Sequence, residues 1–265
     1  ISPMSSESAV LVTGASTGIG AVYAERFARR GHDLVLVARN HERLTALAER
    51  LRDETGVQVD ILQADLTQDS DIAAVEQRLR EDARIRILVN NAGTSIPGDF
   101  LHQSSDDINR LITLNVTSVA RLANAIAPRL AEAGEGAIVN IASVVGLGPE
   151  MGLTVYGATK AFVLFLSQGL DVELSAKGVY VQAVLPAATR TEIWQHSGKD
   201  VDTIPGVMEV DKLVDAALVG FDRRESVTIP PLHDETQWQT LNATRQAMLP
   251  GFAQSEPAAR YLSRS

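Results

Sequence analysis

The stretch Ala9-Val10-Leu11-Val12-Thr13-Gly14-Ala15-Ser16-Thr17-Gly18-Ile19-Gly20 decides the fold. A short β-branched, apolar run meets three glycines at spacings of four and two, and a helical pattern follows over Ile19–Arg30, ending before Gly31, a candidate C′ residue. Gly14 permits a tight turn. Gly18 and Gly20 permit close approach of backbone to a phosphate and of helix to strand. The free N–H groups and positive dipole end of the helix suit a pyrophosphate, with Ser16, Thr17 and Ile19 lining the turn. No Gly-Lys-Ser/Thr follows, so the turn is not a Walker loop.

Outward from this stretch, strand and helix alternate. Apolar runs at Leu34–Ala38, Val57–Leu62, Ile85–Asn90, Ala137–Ser143 and Val179–Leu185 read as strands buried on both faces. Helical patterns cover His41–Thr55, Asp69–Asp82, Asp106–Glu132 and Tyr156–Leu174, and Pro128 is expected to kink or end the third of these. This is the pattern of an α/β fold: a doubly wound parallel sheet, a Rossmann fold of about seven strands with helices on both faces. The seventh strand is expected at Val227–Ile229, followed by a helix over Thr236–Leu249. Residues 1–8, with Ile1-Ser2-Pro3 ahead of Met4, read as a cloning remnant and a frayed, disordered N-terminus. Residues 9–265 are expected to form one domain, with a substrate lid at about 187–208 and a C-terminal segment at 230–265.

The chain has 265 residues, 45% of them apolar, ample for a sizeable core. Its formal charge of −9 argues against broad nucleic-acid or anionic-membrane binding, and no apolar run reaches the length of a membrane span. Cysteine is absent, which excludes disulfides and thiol chemistry and fits a reducing, cytoplasmic setting. The five histidines are scattered and none has zincin spacing, so no metal site is expected; His196 reads as a surface residue.

The second strand ends Val37-Ala38-Arg39-Asn40. An NAD site usually places an acid there for the ribose hydroxyls, but here Arg39 is offered instead, and a guanidinium can bind a 2′-phosphate. The cofactor expected is therefore NADP(H). Arg43, one helical turn along, is a candidate second cation. Tyr156 and Lys160 lie at i and i+4, on one helix face, where an ammonium can favour a phenolate whose free pKa is ~10. Ser143 ends a buried strand at the carboxyl edge, where such sheets bind ligands, and its hydroxyl can polarise a carbonyl.

Thr13-Gly14-xxx-Gly18-Ile19-Gly20, Asn90-Asn91-Ala92-Gly93, Asn115, Ser143 and Tyr156-xxx-Lys160 stand in the order and spacing of the short-chain dehydrogenase/reductase family. The chain resembles the compact, single-domain branch of that family over roughly residues 9–230. The resemblance implies hydride transfer between nicotinamide C4 and a carbonyl or secondary alcohol. It makes Tyr156 the acid/base residue, Lys160 the group that lowers its pKa and holds the nicotinamide ribose, and Ser143 the group that orients the carbonyl. It places Asn115 at a distortion of the long helix, holding a water in the proton relay. It also implies cofactor contacts at Asn91, Ala92 and Gly93, at Asp65 and Leu66, and at Pro186, Thr189 and Thr191. The Asp65 carboxylate is explained equally by a cap or turn role. The family commonly shows Pro-Gly where this chain has Pro186-Ala187.

Val145, Leu147, Met151, Ile193 and Trp194 are candidates for an apolar substrate pocket, fitting a hydrophobic ketone, aldehyde or alcohol. Ala161–Leu166 is apolar on every side of its helix. That points to a homodimer or homotetramer through the helices at 106–132 and 156–174. A competing reading is a catalytically silent NADP-binding sensor or interaction subunit, which would not need a proton-transfer group.

Overall fold

The computed structural model describes residues 8–189 and 206–262. By internal contacts the chain divides into two compact units, one running to Pro230 and the other from Pro231.

The first unit is built on a seven-stranded sheet in the order β3-β2-β1-β4-β5-β6-β7. The strands are β1 (Ala9–Thr13), β2 (Asp33–Ala38), β3 (Val59–Gln63), β4 (Ile85–Asn90), β5 (Ala137–Ile141), β6 (Tyr180–Val184) and β7 (Val227–Thr228). Every pairing is parallel. The order reverses between β1 and β4, so a crevice opens at the carboxyl ends of those two strands.

Alternation along the strands sends side chains to two separate cores. Val10, Val12, Leu34 and Leu36 pack with Phe27 of α1 (Gly18–Arg29), Leu44 and Leu51 of α2 (His41–Thr55) and Phe221 of α7 (Val210–Asp222). Leu11, Val35 and Val37 pack on the other face with Leu79 of α3 (Asp69–Glu81) and with Ile126 and Leu130 of α5 (Ser118–Ala133). The helix ends follow local chemistry. Asn40 caps α2 by accepting the Arg43 N–H at 3.0 Å, and glycines with positive φ follow α2 (Gly56, 76°) and α5 (Gly134, 69°).

The helix expected over Asp106–Glu132 is not continuous. It divides into α4 (Ser105–Ile112), a π-helical turn (Thr113–Thr117) and α5. Side chains hold the widened turn: Ser118 Oγ donates to the Leu114 carbonyl at 2.6 Å, and Asn115 bonds outside the helix altogether. Pro128 neither ends nor divides the helix; it sits on the exposed face and α5 continues through it to Ala133. The strand expected to reach Ser143 stops at Ile141, and Ser143 instead starts a short 3₁₀ turn at Val144–Leu147.

A buried polar ladder locks α6 (Thr154–Leu174) to the sheet. Asn90 Nδ2 donates to Asn140 Oδ1 at 3.0 Å, and Asn140 Nδ2 donates to Ser167 Oγ at 3.0 Å. All three side chains are almost fully buried, and each polar contact is matched, so the ladder fixes register without leaving an orphaned group. In the second unit, α8 (Glu235–Met248) starts at Asp234, whose carboxylate accepts the Thr236 N–H, and no described residue of that unit is buried.

Candidate active site

The carboxyl ends of β1 and β4 are joined first. The Thr13 hydroxyl accepts the amide N–H groups of Asn91 and Ala92, both at 2.9 Å. The Asn91 carboxamide donates to the carbonyls of Thr13 and Gly14 at 3.3 and 3.2 Å. This explains two of the glycines. A Cβ on Gly14 would lie 2.9 Å from Asn91 Nδ2, and one on Gly20 would lie 2.2 Å from the Gly14 carbonyl oxygen. Gly14 and Gly18 also have φ near +59° and +58°, the region open to glycine. Thr17 stands at the N-cap of α1 in an extended conformation and its side chain makes no capping bond. The first N–H groups of α1 therefore open toward the crevice, the arrangement that receives a phosphate.

Next along the same edge is the end of β2. Arg39 is exposed there, while Asn40 is committed to capping α2 and the Arg43 side chain is exposed on the first turn of α2. At the end of β3, Asp65 accepts from both the N–H and the hydroxyl of Thr67, at 3.0 and 2.6 Å, so its carboxylate does close a local turn. Burial works to raise the Asp65 carboxyl. The Thr67 hydrogen bonds and the charges of Arg39 and Arg110 outweigh it and hold the carboxyl below its usual range. Leu66 is buried in the core, so it can offer only backbone to a ligand.

Beyond β5 the reactive groups gather. Ser143 Oγ accepts the Val145 N–H at 3.1 Å, donates weakly to the Pro186 carbonyl at 3.4 Å and stands near enough to the Tyr156 phenol to favour its charged form. The turn carrying Ser143 lies directly on α6. A Cβ on Gly146 would stand 2.8 Å from the Ala161 nitrogen, and one on Gly157 would stand 3.1 Å from the Val145 carbonyl. These two glycines, which the sequence motifs do not single out, let Ser143 and Tyr156 meet; the visible signal was a glycine directly after the tyrosine.

Lys160 is buried, with its ammonium donating to the Ile141 carbonyl at 3.1 Å and lying 5.7 Å from the centre of the Tyr156 ring. Burial pushes the Lys160 ammonium down to about 8. Burial likewise pushes the Tyr156 phenol up to about 12. The lowering expected from the tyrosine–lysine spacing is not found here; desolvation sets the direction, and Ser143 opposes it. The missing Cβ of Gly93 leaves a cradle whose walls are Lys160 Nζ, 3.4 Å from that Cβ position, and Asn115 Oδ1, 3.3 Å from it. Asn115 is fully buried in the π turn and clamps the segment after β4. Its Oδ1 accepts the Thr94 N–H at 3.0 Å and its Nδ2 donates to the Thr94 carbonyl at 2.9 Å.

Of the remaining expected contacts, Pro186 and Thr189 are buried after β6, and Thr189 Oγ1 donates to the Ala187 carbonyl at 3.0 Å. Val145 is half-buried, while Leu147 and Met151 are exposed. Thr191, Ile193, Trp194 and most of the expected lid lie outside the described residues. Among the described residues, no group of three or more His, Cys, Asp or Glu could hold a metal ion.

Comparison with known proteins adds to this geometry. The family described as short chain dehydrogenase matches residues 8–202. The chain belongs to the short-chain dehydrogenase family. Among solved members, a short-chain dehydrogenase from Sphingobium yanoikuyae in complex with NADPH is 66% identical, with a TM-score of 0.95 over 96% of this chain and 99% of that one. The bulky-bulky ketone specific alcohol dehydrogenase from Comamonas testosteroni is 57% identical, with a TM-score of 0.91 over 98% and 100% of the two chains. Very-long-chain 3-oxoacyl-CoA reductase-B of Danio rerio is 38% identical over 187 residues, 69% of this chain. That match spans 60% of the curated relative's length.

For this short-chain dehydrogenase, the close approach of turn and helix is testable. Gly146→Ala is expected to lift the Ser143 turn off α6 and to cut turnover by about tenfold or more, because small misplacements of reacting groups are costly. Steady-state kinetics on the folded variant measure this, and wild-type turnover would show that the approach is not needed.

Proposed function

We propose that this protein is an NADPH-dependent oxidoreductase that reduces apolar ketones or aldehydes to alcohols and runs the reverse reaction at alkaline pH. The observation that carries the reading is the meeting of Ser143, Tyr156 and Lys160 beside the Gly93 cradle, on the same sheet edge as the glycine turn. The neighbours described as an NADPH complex and as a bulky-bulky ketone specific enzyme support the cofactor and the substrate class.

The residues present fit the cofactor. The N-terminus of α1 and the Gly14–Gly20 turn would hold the pyrophosphate, and the exposed Arg39 guanidinium would hold a 2′-phosphate. The Gly93 cradle, with Lys160 Nζ on one side, would hold a ribose hydroxyl. NADPH, when bound, supplies the hydride.

The protein's own part is the proton and the positioning. Ser143 would donate to the substrate oxygen, orienting the carbonyl and stabilising the charge that grows there. Tyr156 would then deliver its proton to that oxygen. A phenol held near 12 is protonated throughout the neutral range, which suits a donor. Asn115 would hold the relay water through the oxygen it turns toward the Gly93 cradle. Val145, Leu147 and Met151 would offer apolar surface beside Ser143, with Ile193 and Trp194 completing the pocket. The exposed stripe Phe162, Phe165 and Val172 on α6, at 37, 79 and 81% exposure, is apolar surface that a second copy of the chain would cover.

Four outcomes test this reading. Tyr156→Phe is expected to retain NADPH binding while turnover falls at least about a hundredfold; a variant that still turns over would remove the role given to Tyr156, and a wild-type chain that binds NADPH but turns over no carbonyl would favour the silent-sensor alternative. Reduction should keep its proton donor from pH 6 to 9. Alcohol oxidation needs the phenolate, whose fraction grows about tenfold per pH unit below the pKa, so its kcat/KM should climb over the same range. NADPH is expected to outperform NADH at equal concentration, and the opposite ranking would remove the role given to Arg39. Light scattering during size-exclusion chromatography is expected to give a dimer or tetramer, and a monomer at micromolar concentration would sink that part of the proposal.

A further inference from the structure

Thr159 lies between Tyr156 and Lys160 on α6 and is 2% exposed. Its hydroxyl donates to the carbonyl of Tyr156 at 2.6 Å, and the same oxygen accepts an N–H from Asn115 Nδ2 at 3.2 Å. A threonine in a helix commonly bonds back to its own preceding turn, so the first bond alone would mean little. The second joins two elements. Asn115 Nδ2 has two protons, one given to the Thr94 carbonyl and the other to Thr159. The carboxamide is thereby fixed in one orientation, with Oδ1 on the Thr94 N–H and at the edge of the Gly93 cradle.

We propose that Thr159 is a positioning residue for the reaction: its hydroxyl fixes the Asn115 carboxamide, and through it ties the Gly93–Thr94 segment to the turn of α6 that bears Tyr156. The inference rests on the oxidoreductase reading above. Without the hydroxyl, one buried Asn115 N–H has lost its acceptor. The carboxamide then turns to recover a partner, its Oδ1 leaves the cradle, and the wall opposite Lys160 Nζ shifts. The hydroxyl is buried and engaged by two protein partners, the Tyr156 carbonyl and Asn115, so Thr159 acts on the reaction through them.

Valine matches threonine in shape and lacks the hydroxyl; serine keeps the hydroxyl and lacks the methyl. Thr159→Val is expected to lower kcat about tenfold with the ketone KM within about twofold, since misplacement acts on the reacting groups. In the absence of substrate, NADPH fluorescence titration is expected to show about threefold weaker binding of the cofactor. Thr159→Ser is expected to restore both quantities to near wild type. A folded Thr159→Val with wild-type kcat and NADPH affinity overturns the proposal, even if its melting temperature falls. So does a serine variant that loses tenfold in kcat, because packing of the methyl group would then be the cause. The serine comparison decides the matter by itself should valine prevent folding. A wild-type chain that binds no NADPH would overturn the oxidoreductase reading instead, a result distinct from any of these.

Discussion

One threonine hydroxyl, that of Thr13, accepts the amides of Asn91 and Ala92 and so fastens the end of β4 to the end of β1. The connections leaving these two paired strands run to opposite faces of the sheet because the order reverses there, and this tie holds their starting points together. The tie also turns the Asn91 carboxamide onto the glycine turn, where it fills the space that side chains on Gly14 or Gly20 would need. From the same junction the chain passes to Gly93 and Thr94, and Thr94 is the group that Asn115 grips from the π turn. The glycine turn, the Gly93 cradle and the Asn115 clamp thus descend from one short set of hydrogen bonds.

The second organising demand is the approach of the Ser143 turn to α6. It sets two conditions that pull against each other. The turn must lie close enough for Ser143 to reach Tyr156, which Gly146 and Gly157 allow. The helix must not slide along the sheet, which the Asn90–Asn140–Ser167 ladder prevents. Burial is the cost of that closeness. It drives the Tyr156 phenol up and the Lys160 ammonium down, toward the neutral forms of both.

Much of this was legible in the chain alone, and the failures have physical causes. Five of the strands announce themselves because a strand buried on both faces must be apolar throughout; β3, expected to be buried likewise, is an edge strand with Asp60 and Gln63 exposed, and all six end within a residue or two of expectation. The spacing of Tyr156 and Lys160 puts them on one face whatever surrounds them. The π turn has no signature in apolar pattern, because widening a helix by one residue leaves its apolar content unchanged; the distortion at Asn115 is expected from the family resemblance alone, and it is there. The direction of the Tyr156 shift was hidden. Spacing reports which charge is near, whereas desolvation depends on what covers the group, and that is decided by turns distant in sequence. Thr159 is one of the unspecified positions between Tyr156 and Lys160, and the bond that gives it a part, from Asn115, exists only once the π turn is in place.

The Lys160 ammonium has its own consequence. Its recorded partner is a neutral carbonyl, that of Ile141, and it lies among atoms that solvate a cation poorly. Burial therefore weakens the ammonium in the folded chain, and a ligand that brings hydroxyl oxygens to it offsets that cost. A ligand that binds only the native state shifts the folding equilibrium by mass action, in proportion to the logarithm of its concentration over its dissociation constant. Such a molecule is as much a component of the fold as a reagent, and the lifetime of the chain in a cell becomes coupled to the size of its cofactor pool.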